Sequence, residues 1–124
     1  MSLWIRRWGM AILMMAAIFI ASGTPGNDLP QLGHWDLFAK KGGHMLGYGL
    51  LAIGYLRGLA NGKPITWRQC ALAVIFSILY AATDEFHQSF VAGRNSSIDD
   101  VMIDAVGAGF GTGMWTWIRH LVMT

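Results

Sequence analysis

The sequence predicts an all-α fold: an integral membrane bundle of four transmembrane helices with both termini cytoplasmic. Three observations carry that expectation. The 124 residues are 54% hydrophobic and only 13% charged, against roughly 25% charged in soluble globular domains. The apolar residues gather into four runs, each near the ~20 residues that a spanning helix needs. The charges also divide by sign between the two ends of those runs. The same composition excludes an intrinsically disordered chain, which is far less apolar. A disulfide scaffold is excluded because Cys70 is the only cysteine.

The first helix is expected over about residues 3–22, apolar after Arg6 and Arg7. The run 23–30, Gly-Thr-Pro-Gly-Asn-Asp-Leu-Pro, is turn-rich and ends it. A signal peptide is the competing reading, from the basic start, the apolar run and the small residues Ala21, Ser22 and Gly23. The second helix is expected over about 42–60 and the third over about 67–86, separated by the tight turn Asn61-Gly62-Lys63-Pro64. The fourth is expected over about 101–123. Ser96 and Ser97, followed by Asp99 and Asp100, resemble a helix start, where hydroxyls cap free amides and acids suit the dipole. Four spans occupy roughly 80 residues. Residues 1–124 therefore read as a single transmembrane domain with short connections.

Charge gives the orientation. Arg6, Arg7, Arg57, Lys63, Arg68 and Arg119 fall at one set of ends, with no acid among them. Lys40, Lys41 and Arg94 fall at the other, with all seven acids. The positive-inside rule places the first set, and both termini, in the cytoplasm of a multi-pass protein of the cytoplasmic (inner) membrane. The net charge of +2 follows from this topology and gives no reason to invoke nucleic acid.

Chemistry-bearing residues concentrate at the outer ends. Asp36, Lys40, His44 and Tyr48 are spaced by four and line one stripe if the second helix starts early. Asp84, His87 and Gln88 share a face at the end of the third helix, beside Glu85. Asp100 and Asp104 lie one turn apart on the fourth. An acid at the bilayer centre costs about 2.5–3.5 kcal/mol on insertion scales, so Asp104 should face protein or water. Bland readings stand beside each. Asp99 and Asp100 can serve as helix-start charges, Asp36, Lys40 and Lys41 as interface anchors, His44 as an interhelical hydrogen-bonder, and Tyr80 and the tryptophans as a membrane-interface belt. The pairs Gly43/Gly47, Gly54/Gly58, Gly107/Gly111 and Gly109/Gly113 have the spacing that lets membrane helices approach closely.

The pattern Lys41-x-x-His44-x-x-x-Tyr48, then Tyr80-x-x-x-Asp84-Glu85-x-His87-Gln88-x-Phe90-x-x-Gly93-Arg94, then Ser97-x-x-Asp100-x-x-x-Asp104-x-x-Gly107 resembles the VanZ-like membrane family. That family is named for an accessory protein of glycopeptide (teicoplanin) resistance. The resemblance spans roughly residues 40–111. It implies a polar signature at Lys41, His44, Tyr48, Asp84, Glu85, His87, Gln88, Arg94, Asp100 and Asp104.

Three uses of such a site compete. In the first, Lys41 and Arg94 grip an anionic headgroup, with Tyr48, Gln88, Asp100 and Asp104 as further ligand-binding residues. His44, Asp84, Glu85 and His87 are then the candidate catalytic acids and bases. The ligand would be an anionic envelope lipid or a lipid-linked wall precursor, and the protein would affect glycopeptide susceptibility. In the second, Asp84, Glu85, His87 and Asp104 hold a divalent metal, although no tight ligand spacing marks such a site. No other cofactor is expected. In the third, the cluster is an interhelical lock in a non-enzymatic accessory subunit of a larger membrane complex.

Overall fold

Backbone amides and carbonyls must find hydrogen-bond partners wherever water is excluded, and an apolar run meets that demand most simply as a helix. The computed structural model describes residues 3–23, 36–90 and 98–123, and side chains within 3–20, 42–90 and 101–122. Those residues form four helices and no strand: α1 (Leu3–Gly23), α2 (Asp36–Ala60), α3 (Trp67–Gln88) and α4 (Ile98–Met123). Three run past the limits expected from hydropathy. α2 begins at Asp36 rather than 42, α3 ends at Gln88 rather than 86, and α4 begins at Ile98 rather than 101. An apolar window locates where a helix is greasy, whereas main-chain hydrogen bonding continues through polar residues. Ser96 and Ser97, expected to cap α4, lie outside the described residues.

The turn between α2 and α3 forms where expected. Asn61 (φ 50°) and Gly62 (φ 83°) both adopt the left-handed conformation, which Gly and Asn tolerate best. The Asn61 amide donates to the Arg57 carbonyl at 3.0 Å, and the Lys63 amide to the Ala60 carbonyl at 2.9 Å. Thr66 then caps α3. Its hydroxyl accepts from the Gln69 amide, while the Gln69 side chain accepts from the Thr66 amide. This reciprocal pair is legible as the sequence Thr66-x-x-Gln69.

α2 occupies the centre. It packs on α1, α3 and α4, most extensively on α4; α3 also touches α1 and α4, while α1 and α4 do not meet among the described residues. Glycines set two of these approaches. A methyl at Gly54 would sit 2.8 Å from the Ala11 amide nitrogen, and one at Gly58 would enter the Trp8 ring, so α1 lies directly on α2. Gly107 and Gly111 of α4 lie on the backbone of Met45 and Gly49 of α2 in the same way. The other expected pairs do not act so. Gly43, Gly109 and Gly113 face open space, and Gly47 makes only an ordinary contact with Ile18. A four-residue spacing also occurs on outward faces, and it does not say how each helix is rotated.

Polar side chains share the interior with apolar ones, while large apolar side chains face outward. Asp104, Ser77, Asp84, Gln88 and Thr112 are buried, while Leu13, Ile20, Leu46, Leu79, Phe86 and Phe110 each expose more than half of their surface. Exposed apolar side chains occur on all four helices. Apolar exposure of this extent marks an interaction with something other than water. Two of the described helices, Leu3–Ile20 within α1 and Trp67–Gln88, are long and apolar enough to cross a membrane. α2 and α4 contain six and four glycines, which lower mean hydropathy without adding a polar side chain.

Candidate functional site

Successive helices alternate in direction. The C-terminal ends of α1 and α3 therefore meet the N-terminal ends of α2 and α4, and the polar residues gather there. α2 presents His44 and, one turn on, Tyr48; their rings are parallel within 6°, with centroids 6.3 Å apart. His44 Nδ1 lies 3.0 Å from Asp104 Oδ1 of α4. The Tyr48 hydroxyl donates to Asp84 Oδ2 of α3 at 3.2 Å. Two side chains of one α2 face thus reach two carboxylates, one on α3 and one on α4.

Burial sharpens the arrangement. Asp104 has no exposed surface, while 24% of the His44 side chain remains exposed. His44 is therefore the point where the pair meets the surroundings. A histidine whose Nδ1–H is held by a carboxylate has a fixed tautomer and carries its basic lone pair on Nε2. Asp104 is placed to orient the His44 ring when Nδ1 carries the proton. Asp84 Oδ1 is buried with no hydrogen-bond partner among the described residues. An unsatisfied buried acceptor costs about 1–3 kcal/mol, so this oxygen suits a water or a ligand donor.

The remaining expected residues divide. Glu85 and Gln88 are buried at the same end of α3, on the stripe that continues from Ser77 and Ala81. His87 points elsewhere: its ring stacks on Phe19 of α1, centroids 4.5 Å apart and 13° from parallel. The face Asp84/His87/Gln88 expected from spacing is thus replaced by one carrying Asp84, Glu85 and Gln88. A helix advances about 100° per residue, so neighbours can share a wide buried stripe. The side chains of Lys41, Arg94 and Asp100 lie outside the described residues. Among the described residues no three His, Cys, Asp or Glu side chains converge as a metal ion requires; His87 turns to α1 while Asp104 serves His44.

Tyr80 has a role that its spacing four residues before Asp84 could have suggested. Expected in an interface belt, it is half-buried, with its ring 6.3 Å from that of Tyr48. Its hydroxyl donates to the Met15 carbonyl of α1 at 2.5 Å. It therefore ties α1 to the wall of the site. Cys70 is half-buried at the other end, 3.4 Å from the Thr116 hydroxyl.

A family model described as VanZ/LLP1 matches residues 7–119. The chain belongs to the VanZ/LLP1 family. The match includes every polar residue expected from the VanZ-like resemblance, from Lys41 to Asp104. No curated protein and no solved structure matches the chain. Membership of the VanZ/LLP1 family and the two apolar helices together point to a membrane protein.

Proposed function

We propose that this VanZ/LLP1 protein is a four-span protein of the cytoplasmic membrane, forming one unit with both termini in the cytoplasm. The α2–α3–α4 cluster is its acid–base site at the extracytoplasmic face. All four helices expose apolar side chains. At 21–26 residues each, they measure about 32–39 Å, enough for a hydrocarbon core of about 30 Å. The observation that carries the site is the pairing of His44 with the fully buried Asp104. Ionisable groups in a membrane segment are costly and mark functional sites, and this pair has the orientation of a general base and its carboxylate support.

The substrate class is a lipid-linked component of the envelope, an anionic lipid or a wall precursor. Lys41 and Arg94 provide its headgroup contacts, and glycopeptide susceptibility is the phenotype. The alternative is a non-enzymatic subunit of a membrane complex in which the cluster only locks helices. A specific observation favours it: both polar pairs bridge different helices. Asp104→Asn separates the two, since the amide keeps a hydrogen bond to His44 but loses the charge. Expression of the wild-type chain in a teicoplanin-sensitive host should change susceptibility and the mass spectrum of extracted envelope lipids. D104N should abolish both while keeping normal membrane levels. A fully active D104N protein refutes the acid–base role, and a variant absent from the membrane favours the lock.

A further inference from the structure

The opposite end of the bundle carries a second site. Because α1 and α4 do not meet, a cleft of about 660 Å³ opens between them beside the C-terminal end of α2. Four guanidinium groups from three helices line it: Arg6 and Arg7 of α1, Arg57 of α2 and Arg119 of α4. Among the described residues its lining contains no carboxylate. The buried acids Asp84, Glu85 and Asp104 lie at the far end. Along α4, Asp104 and Arg119 are separated by about 22 Å of helix rise.

Two of the arginines are held in place from behind. Arg7 Nε donates to the Gly58 carbonyl at 2.6 Å, one of the α2 carbonyls without a helical partner. Its guanidinium also lies 5.2 Å from the centre of the Trp8 ring. Arg57 sits 5.8 Å from the centre of Trp115, with one Nη–H toward Met10 Sδ. A guanidinium has five N–H donors, so both keep donors for a ligand, and their restraint lowers the entropy lost on binding. Trp115 Nε1, in the same lining, is buried without a hydrogen-bond partner among the described residues. Arginine and indole groups supply donors only, and the matching ligand is a compact, acceptor-rich anion. Positive-inside topology requires basic residues near this surface, but not their convergence from three helices on one concave site.

We infer that this cleft is a phosphate-binding site, taking either the headgroup phosphate of an anionic lipid or free phosphate. Arginine forks match phosphate oxygens in bidentate fashion, and the volume suits a headgroup. The site is separate from the acid–base cluster and does not depend on its chemistry.

The test uses the full chain purified in a neutral detergent and examined by native mass spectrometry. Probes are dioleoylphosphatidylglycerol, dioleoylphosphatidylcholine and inorganic phosphate, at constant ionic strength. Phosphatidylglycerol should add one molecule per chain, with phosphatidylcholine bound about tenfold more weakly or worse. The doubly substituted R6Q/R57Q chain should lose about tenfold or more in phosphatidylglycerol affinity, since one charge-assisted contact alone is worth about that. K63Q/R68Q removes the same charge from the same end outside the cleft and should bind as wild type. If inorganic phosphate displaces the lipid, the phosphate group alone is recognised; if it does not, the lipid headgroup is the ligand. R119Q provides a second reading where R6Q/R57Q fails to fold, checked by circular dichroism. Equal losses in R6Q/R57Q and K63Q/R68Q, or no binding of phosphatidylglycerol and none of inorganic phosphate, would overturn the inference.

Discussion

Replacing Gly107 with alanine should push α4 off α2. A Cβ at that position would lie 2.8 Å from the Met45 Cα and 3.0 Å from its carbonyl carbon, and closer still to the carbonyl oxygen. Carbon atoms settle at about 3.5–4.0 Å, so α4 must retreat by about 1 Å. The obstacle is backbone on both sides, and no side-chain rotation relieves it. The His44–Asp104 distance starts at 3.0 Å, and a retreat of that size takes it beyond hydrogen-bond range. Overpacking of a close-packed interface costs about 1–3 kcal/mol. The thermal midpoint of the purified protein in detergent, followed by circular dichroism, should therefore fall by several degrees. Gly109 is the internal control. It lies two residues away on the same helix, and a Cβ there meets nothing within 4 Å. G109A should melt like the wild type. If G109A is as damaging as G107A, or G107A is harmless, the α2–α4 approach described above is wrong.

Thr66→Ala removes both the hydroxyl that accepts from Gln69 and the reason for the Gln69 side chain to fold back. It should cost about 0.5–2 kcal/mol, read in the same melting assay, and leave the His44–Asp104 pair at the other end unchanged. The orientation is tested at the exposed turn. Lys63→Cys, in a C70S background, should react with a membrane-impermeant maleimide only after the cells are permeabilised; labelling of intact cells would reverse the topology.

Much of the site was legible as residue types at helical spacing. His44 and Tyr48, four apart, do share a face, and Asp104 does turn inward, as the cost of a charge in hydrocarbon demands. His87 was misplaced because sequence periodicity marks a stripe without its angular width. With Glu85 drawn inside, His87 rotates to the edge and meets Phe19. For Tyr80 the spacing left the partner of the hydroxyl open, since an aromatic near a helix end can anchor at an interface, donate to a neighbouring carbonyl, or do both. Only the position of α1 supplies the Met15 carbonyl.

Taken alone, the sequence determined the all-helical class, the four helices, the tight turn at Asn61-Gly62-Lys63-Pro64 and the family. These follow from local properties, since main-chain hydrogen bonding, capping and hydropathy act within a few residues of one another. The tertiary structure decided which carboxylate serves His44 and which serves Tyr48. It also decided which glycines carry helix contacts and that four arginines share one cleft. Those outcomes depend on how each helix is rotated about its axis. That rotation is set by many weak contacts among residues far apart in the chain, none of which is written in the spacing of a single helix.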